Sequence, residues 1–283
     1  MALDPLTLGL VLLAALSHAG WNALVKADED RLASLAAMLL ASAALSAPVA
    51  VLIARPAPAA WPWLLLSVAV HLVYCVLLLR AYRYGDLSHV YPIARGLGPL
   101  LVAAATGRLI GEHLQLHEAM GVALASLGIL SLALVDGVAA LALRPTLWAV
   151  ACGVSIGAFT LIDGIGVRAS GRPVGYVAWL NLVEGLLFFS YALQRRRGRL
   201  WTYLRTSPLR VAGMGIVAAG TYGVVVWAMA RGPVAHVAAL RETSVLFAAL
   251  FGSALLGEPF GHRRLAAAGV IAGGLVLMNL PLR

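Results

Sequence analysis

The chain is a succession of ten apolar segments joined by short polar connections, and this pattern restricts its fold more than any other feature. A membrane-spanning helix needs about 20 mostly apolar residues, and each segment is close to that length. Backbone groups in hydrocarbon must be paired within their own segment, so helices are expected. The sequence therefore predicts an all-α integral membrane protein with ten transmembrane helices. The predicted spans are Leu6–Val25, Leu32–Ala54, Trp63–Tyr84, His89–Ile110, Ala119–Val135, Thr146–Val167, Val174–Leu193, Val211–Ala230, Val234–Leu256 and Leu265–Leu280.

The composition leaves little material for a soluble domain. Hydrophobic residues make up 61% of the 283 residues and charged residues only 12%, with a mean hydropathy of +0.91. The net charge of +9 comes from basic residues that cluster in the connections. Such residues set membrane orientation and contact anionic lipid headgroups. Membrane lipid is therefore the expected partner of this charge, and nucleic acid is not expected.

A sequence pattern in the first half of the chain returns in the second half. His89-Val90, Arg95, Gly111-Glu112 and Gly128 are followed in the same order by His236-Val237, Arg241, Gly257-Glu258 and Gly274. Pro92 has no counterpart in the second copy. The order of these matches predicts two copies of one five-helix unit, residues 1–140 and 141–283.

Five spans in each copy dictate how the copies cross the membrane. An odd number makes the second copy enter with the opposite orientation, which is an inverted-topology repeat with a pseudo-two-fold axis in the membrane plane. Transporters of this architecture bind substrate near the bilayer midplane, between the two copies. A midplane site between two inverted repeats is therefore expected.

The basic residues also indicate an orientation. Lys and Arg are more numerous in the connections that follow the odd-numbered spans, and six of them lie between Arg195 and Arg210. The positive-inside rule then places both termini on the opposite, periplasmic side of a bacterial inner membrane.

Charged residues inside the spans are the main candidates for substrate binding, because ionisable groups at membrane depth are costly. Arg95 and Arg241 occupy equivalent positions of the two copies, and Tyr91 lies one turn before Arg95. Glu242 follows Arg241, and Glu184 lies in the middle of span 7. Two interpretations remain open. Either the arginines hold a substrate carboxylate or phosphate and the acids hold an amine or a proton, or the charges pair with each other and lock helices together.

Polar and aromatic residues in other spans extend this candidate site. Trp21 and Asn22 lie on a polar stripe of span 1, and such a stripe faces protein or water rather than lipid. Tyr74 and Tyr222 lie within apolar segments, where a tyrosine hydroxyl needs a hydrogen-bond partner. Either both tyrosines line the substrate pocket, or their hydroxyls make hydrogen bonds that only stabilise the fold. Asp163, near the predicted end of span 6, is expected at the membrane interface.

Two Gly-Glu pairs end equivalent spans and are interpreted as structural. Each glutamate of Gly111-Glu112 and Gly257-Glu258 is expected to cap or pair at the next helix entrance. His89 and His236 begin their helices with no cysteine or carboxylate at ligand spacing, so no metal site is predicted.

Motifs of catalysis and nucleotide binding are absent from the sequence. It lacks a GxxxxGK[ST] phosphate loop, a GxSxG nucleophile turn and an HExxH zinc helix. No cofactor and no enzymatic activity are expected, and transport would draw on a gradient, with the proton as a candidate coupling ion. An intramembrane enzyme acting on a lipid-linked substrate is the alternative from another class, and it would need a dyad such as His18 with Glu184.

Several short motifs, in this order, resemble the drug/metabolite transporter superfamily, and within it the EamA-type bacterial permeases. They are Trp21-Asn22-Ala-Leu-Val-Lys26, Tyr91-Pro-Ile-Ala-Arg95 with Gly111-Glu112, and Leu240-Arg-Glu-Thr-Ser244 with Leu256-Gly-Glu-Pro259. The resemblance covers essentially the whole chain and implies an alternating-access carrier whose cavity is lined mainly by spans 1, 3, 4, 6, 8 and 9. Known members move amino acids, sugar phosphates, nucleotide sugars and other metabolites, and many bacterial members are exporters. Carried over to this sequence, the lining candidates are Trp21, Asn22, Tyr74, Tyr91, Arg95, Phe159, Tyr222 and Arg241.

The leading hypothesis is a secondary transporter that exports a small polar metabolite, an amino acid or related zwitterion. It rests on a balance of two charges of each sign, from Arg95, Arg241, Glu184 and Glu242. Anionic, phosphorylated or drug-like metabolites are the alternative substrates. Span 1 lacks the membrane-embedded glutamate of the smaller multidrug relatives, which argues against lipophilic cations. Motifs such as Gly153xxxGly157 and Gly269xxxGly273 fit close helix packing or a homodimer seam, although no oligomer is required.

Overall fold

The computed structural model describes residues 3–52, 55–84, 87–134, 142–248 and 262–280. Within these ranges the chain is helical apart from short connections, and no β-strand occurs. The proposed repeat boundary after residue 140 and the pair Gly257-Glu258 lie outside them. The helices are α1 (Pro5–Ala27), α2 (Arg31–Leu52), α3 (Trp61–Tyr84), α4 (Leu87–Leu109), α5 (Leu116–Leu132), α6 (Leu143–Ser170), α7 (Pro173–Thr206), α8 (Pro208–Met229), α9 (Val234–Arg241) and α10 (His262–Asn279).

Six of the described helices are long and apolar enough to cross a membrane: α1, α2, α3, α6, α7 and α8. The helix α5 is also apolar but has only 17 residues. The helix α4 has 23 residues and contains Arg95 and Arg108. The protein is thus a multi-pass membrane protein, and the predicted all-helical membrane fold is confirmed at that level.

One compact unit, unit 1, consists of Met1–Leu16, Val73–Leu161 and Arg231–Arg283. In this unit α5 packs against α10 and α4, and α4 packs against α9. Glycine allows α5 and α10 to touch backbone to backbone. A Cβ added at Gly121 would lie 2.6 Å from the carbonyl oxygen of Gly274, so a larger side chain has no room there.

The contact between α5 and α10 is reciprocal. A Cβ added at Gly128 would lie 2.8 Å from Cγ1 of Ile271, and one added at Gly274 would lie 2.5 Å from the amide nitrogen of Ala125. The sequence spacing that relates Gly128 to Gly274 also relates Ala125 to Ile271. Each contact is therefore the counterpart of the other, which is the pattern of a two-fold, isologous contact.

The other compact unit, unit 2, consists of Ser17–Leu72 and Ile162–Ala230. Here α2 packs against α7 and α8, and α7 packs against α8. Glycines again permit the close approach, because a Cβ added at Gly185 of α7 would collide with the carbonyl oxygen of Leu39 on α2.

The predicted seventh span, Val174–Leu193, is part of a longer element. The 34 residues of α7 form two helical parts that meet at Arg196, whose φ of −143° and ψ of 34° are not helical. The second part carries the basic connection predicted after this span. Tyr203 in this part donates a hydrogen bond to Asp28 at 2.7 Å, which ties it to the connection between α1 and α2.

The predicted ninth span, Val234–Leu256, is interrupted in its described portion. The helix α9 ends at Arg241, Glu242 and Thr243 form a turn, and residues 244–248 are helical again. Discontinuous helices are a feature of transporter binding sites. The interruption falls on charged residues that the sequence had singled out.

Candidate functional site

A buried cluster of charge lies in unit 1, where one glutamate is held between two arginines. Nη1 of Arg95 donates a hydrogen bond to Oε2 of Glu242 at 3.0 Å. Nε and Nη2 of Arg241 donate to Oε1 of Glu242 at 3.0 and 2.9 Å. Arg95 and Arg241 are each 3% exposed and Glu242 is fully buried. We refer to these three residues as the arginine–glutamate triad.

Local backbone chemistry produces the turn that presents Glu242. The amide of Thr243 donates to the carbonyl of Leu240 at 3.1 Å, and the amide of Val245 donates to the carbonyl of Glu242 at 3.1 Å. The hydroxyl of Thr243 also donates to the Leu240 carbonyl at 2.7 Å. A threonine hydroxyl that bonds nearby backbone competes with regular helical pairing. The i to i+3 bonds tighten the chain here and end α9 at the triad.

The two occurrences of the sequence pattern contribute unequally to the triad. Arg95 and Arg241 are equivalent residues, but Gly96 follows the first and Glu242 follows the second. A Cβ added at Gly96 would lie 2.6 Å from Cγ of Leu130, so the packing of α4 on α5 leaves no space for a glutamate there. The triad therefore has two arginines and one shared carboxylate.

Aromatic rings cover both guanidinium groups. The Arg95 guanidinium carbon lies 5.0 Å from the ring centroid of Tyr91, and that of Arg241 lies 5.5 Å from the ring centroid of Phe159. Contacts of this kind stabilise a cation by about 0.5–2 kcal/mol, with the larger values at desolvated sites. The hydroxyl of Tyr91 also lies 3.2 Å from the hydroxyl of Ser244, just after the turn.

Further residues of unit 1 complete the surroundings of the triad. Nη2 of Arg241 lies 3.5 Å from the hydroxyl of Thr160, its acceptor. The ring of Tyr74 makes an edge contact with Phe159 at a centroid separation of 5.5 Å. Unit 1 thus brings together six of the residues proposed from sequence: Tyr74, Tyr91, Arg95, Phe159, Arg241 and Glu242.

The triad carries one net positive charge. Its two guanidinium groups have more N–H donors than a single carboxylate can accept. Buried guanidinium donors of this kind can also hold a negatively charged group on a bound molecule. A carboxylate matches the planar fork of a guanidinium group in geometry as well as charge.

Unit 2 holds a second buried polar group around Asp163. This residue was expected at the membrane interface, and that prediction is wrong, because its side chain is fully buried. The helix α6 continues to Ser170, so Asp163 lies nearly two turns before its end. The hydroxyl of Tyr176 donates to Oδ1 of Asp163 at 2.9 Å, and the hydroxyl of Tyr222 donates to Oδ2.

His71 and Glu184 lie beside this carboxylate. The His71 ring makes an edge contact with Tyr222 at 5.4 Å, and its Nδ1 lies 3.1 Å from the hydroxyl of Ser67. Glu184 is 7% exposed and interacts electrostatically with both His71 and Asp163. We refer to Asp163, Glu184, His71, Tyr176 and Tyr222 as the Asp163 group.

Trp21 and Asn22 lie on α1 in the portion that belongs to unit 2. The side-chain amide of Asn22 donates to the carbonyl of His18 at 3.0 Å. The His18 ring makes an edge contact with Trp21 at 4.6 Å. Of the ten residues proposed from sequence to bind substrate, four are thus in unit 2: Trp21, Asn22, Glu184 and Tyr222.

Glu112 makes a contact of the capping kind. Its Oε2 accepts a hydrogen bond from the backbone amide of Val234, the first residue of α9, at 2.9 Å. Gly111 precedes it with a φ of +78°, a conformation that glycine adopts without strain. Among the residues that the structure describes, no His, Cys, Asp and Glu side chains form a group of three suited to a metal ion.

Comparison with known proteins gives the family. Residues 143–280 match the EamA-like transporter family. The chain is also 31% identical over 293 aligned residues to the uncharacterized protein PA1977 of Pseudomonas aeruginosa, an alignment that covers 98% of this chain and 96% of that protein. The chain belongs to the EamA-like transporter family. This confirms the resemblance seen in the sequence motifs, and the protein is a multi-pass membrane protein of a transporter family.

The fold of the transporter has a counterpart among solved structures. A protein of known crystal structure matches it with a TM-score of 0.76 at 19% sequence identity, over 98% of this chain and 99% of that one. At this identity the likeness shows the fold alone.

Sequence reasoning missed several residues of the transporter's polar groups. Thr160 and Ser244 contribute hydroxyls beside the triad, and Tyr176 and Asp163 form a buried pair. Ser244 ends the motif Leu240-Arg-Glu-Thr-Ser244 quoted for the family, and Thr160 directly follows the lining candidate Phe159. The available signal was this position in the sequence, together with the position of Ser244 two residues after Glu242.

Proposed function

We propose that the transporter is a secondary carrier that exports a small metabolite bearing a carboxylate, an amino acid or related zwitterion, across a bacterial inner membrane. The observation that carries this proposal is the arginine–glutamate triad. It places two guanidinium groups and a single carboxylate, all buried, on α4 and beside the break after α9. In a transporter family, such charges at membrane depth mark the substrate path.

The chemistry of the proposed site is an exchange of carboxylates. A substrate carboxylate takes over N–H donors of Arg95 or Arg241 that Glu242 accepts in this structure. The empty and loaded carriers then differ in which carboxylate the arginines hold. A difference of this kind is what a ligand needs to shift a conformational equilibrium, and alternating access is such a shift.

A zwitterion fits this exchange better than a simple anion. When a substrate carboxylate displaces Glu242 from one arginine, the glutamate can accept a hydrogen bond from the substrate ammonium group. The aromatic faces of Tyr91 and Phe159 lie next to the same guanidinium groups. Glu242 therefore replaces Glu184 as the acid that we place against the substrate amine, and Trp21, Asn22 and Tyr222 are proposed to line the path.

The proposed architecture is ten spans in two inverted repeats, residues 1–140 and 141–283. The reciprocal contact of Gly128 with Ile271 and of Gly274 with Ala125 supports it, because equivalent residues exchange places in a two-fold contact. The packing of α4 on α9 and of α5 on α10 supports it as well, since each pair joins equivalent helices of the two copies.

An anionic or phosphorylated metabolite is the second candidate substrate. The net positive charge of the triad favours it, because a phosphate group also binds arginine bidentately. A doubly charged phosphate, however, would leave a net negative charge beside Glu242, and a phosphate without an amine offers no ammonium group for Glu242 to accept a hydrogen bond from.

The test is exchange of labelled substrate in proteoliposomes that contain the purified transporter. A panel of labelled amino acids and phosphorylated metabolites is offered outside, with the same unlabelled compound enclosed. We expect wild-type exchange for at least one amino acid and none for the phosphorylated compounds. Exchange of a phosphorylated compound alone would support the second candidate instead.

Variants of the arginines test whether the exchange of amino acids depends on the triad. Arg241→Lys keeps the charge but loses the fork that holds a carboxylate bidentately, so amino-acid exchange should fall at least about tenfold, the equivalent of one lost hydrogen bond to a charged group. Arg108→Lys is the matched control, because Arg108 lies on α4 with Arg95 but is exposed. Equal exchange by both variants would contradict the proposal.

A further inference from the structure

The Asp163 group is a second set of ionisable side chains that substrate binding by the triad does not use. Asp163 is fully buried, and His71 and Glu184 are 6% and 7% exposed. The helices that carry them, α6, α3 and α7, are among those apolar enough to span the membrane. Ionisable groups in such helices are costly and mark functional positions.

The hydrogen bonds of Asp163 suit a carboxylate. Each of its two oxygens accepts a hydrogen bond from a tyrosine hydroxyl, of Tyr176 and Tyr222. An ionised carboxylate is a pure acceptor, so this arrangement suits a negative charge on Asp163. It provides a fixed negative charge within unit 2.

Glu184 and His71 then determine the remaining charge of the group. If Glu184 were also ionised and His71 neutral, two negative charges would share one buried site, which like-charge repulsion and desolvation oppose. One proton bound by Glu184 relieves this repulsion. The group therefore has two charge states that differ by one proton.

The ionisable groups around Asp163 come from α3, α6, α7 and α8 of unit 2. Tyr176 reaches it from α7 and Tyr222 reaches it from α8. Glu184, also on α7, interacts with it electrostatically, and His71 on α3 packs against the ring of Tyr222. Arg168 follows on α6, where its Nε donates to the carbonyl of Met229 at 3.1 Å.

We propose that the Asp163 group is the binding site of a coupling proton, with Glu184 as the acceptor and Asp163 as the fixed counter-charge. The inference rests on the proposed function, because a coupling proton has a role only in a carrier. The proton site is thereby assigned to side chains other than those of the triad, and the two sites can be tested separately.

The first test detects the proton itself, without any substrate. Infrared spectra of the purified protein in lipid are recorded as the pH is lowered, and the carbonyl stretch of protonated carboxyl groups is followed. Subtracting the spectra of Glu184→Gln from those of the wild type should leave a band that appears with acidification. Glu29→Gln, which removes an exposed glutamate between α1 and α2, should leave this band in place.

The outcome that overturns the proton site is a wild-type spectrum that Glu184→Gln does not alter, while circular dichroism and size-exclusion chromatography show both proteins folded. If Glu184→Gln does not fold, Glu184→Leu is used in its place. Proton uptake by the detergent-solubilised protein, measured with a pH-sensitive dye, should then be lower than in the wild type. Equal uptake would overturn the proposal.

The second test measures coupling, using the labelled amino acid that the wild type exchanges fastest. Its uptake is compared with and without a pH gradient. The ratio of the two rates should exceed unity in the wild type and fall to unity in Glu184→Gln, while exchange without a gradient remains measurable. Arg241→Lys should instead lose exchange itself.

These measurements separate the failure of the two proposals. A wild type that exchanges no compound of the panel contradicts the proposed function, whatever the infrared result. A wild type that exchanges an amino acid, with a rate ratio that Glu184→Gln does not change, contradicts only the proton site.

Discussion

At the scale of single residues, removal of any one member of the triad is expected to lower the stability of the folded protein. A buried ion pair contributes little net stability compared with an apolar pair of the same size. Removal of one partner, however, leaves a buried charge without compensation. Glu242 contacts both Arg95 and Arg241, so its loss affects two guanidinium groups together. Disruption of the triad therefore carries a large structural penalty, and we interpret its retention as a sign of the proposed function.

The stability of a Glu242→Gln variant tests this reasoning. We expect the variant to be destabilised by about 3–5 kcal/mol, the usual cost of breaking a buried ion pair. The measurement is thermal unfolding in detergent, followed by circular dichroism, with Glu29→Gln as the exposed control. Equal melting temperatures for wild type, control and Glu242→Gln would contradict a tightly held triad.

The sequence indicated part of this residue-scale account. Arg95, Arg241 and Glu242 were identifiable because charge inside an apolar span is rare. Asp163 was misplaced because the end of span 6 was set too early, and a few residues at a helix end decide between interface and interior. Thr160 gave no signal of its own, since a hydroxyl in a membrane helix commonly bonds its own backbone.

At the scale of elements, glycine and threonine decide the local geometry. The long apolar segments predicted most helices well, because the length of a span is set by the bilayer. The break after α9 was not predicted, since Thr243 ends the helix through a side-chain bond rather than through proline or glycine. The contact of α5 with α10 depends on glycine at the points of closest approach.

The close approach of α5 and α10 predicts opposite effects of two alanine substitutions. Gly121→Ala places a methyl group against backbone atoms of α10, so it should destabilise the protein by about 1–3 kcal/mol. A Cβ added at Gly269 of α10 meets nothing within 4 Å, so Gly269→Ala should be neutral or stabilise by up to about 1 kcal/mol. Thermal unfolding of both variants is the measurement. A Gly121→Ala variant as stable as Gly269→Ala would contradict the close backbone contact between α5 and α10.

At the scale of the whole molecule, the account proposes an even number of spans. Six described helices meet the criteria of length and apolar character for crossing a membrane. The others include α4, which contains two arginines, and α9, which ends at a turn. We propose that both belong to further spans and are less apolar because they line the proposed site.

Topology reporters test the proposed number of spans and the orientation. Ten spans place both termini on one side of the membrane, and the charge bias places that side in the periplasm. Fusion of a periplasm-active phosphatase to either terminus should therefore give an active enzyme, and fusion after Arg197, in the basic second part of α7, should not. Opposite results for the two termini would exclude an even number of spans.

The central claim is that the arginine–glutamate triad holds a substrate carboxylate, and competition by an amide analogue tests it most directly. Wild-type exchange of a labelled amino acid is measured in proteoliposomes in the presence of the unlabelled amino acid or of its carboxamide. The carboxamide keeps the size and the ammonium group but cannot accept a charge-assisted bond from arginine. The account predicts that it competes at least about tenfold more weakly. Equal competition by the two compounds would contradict the account.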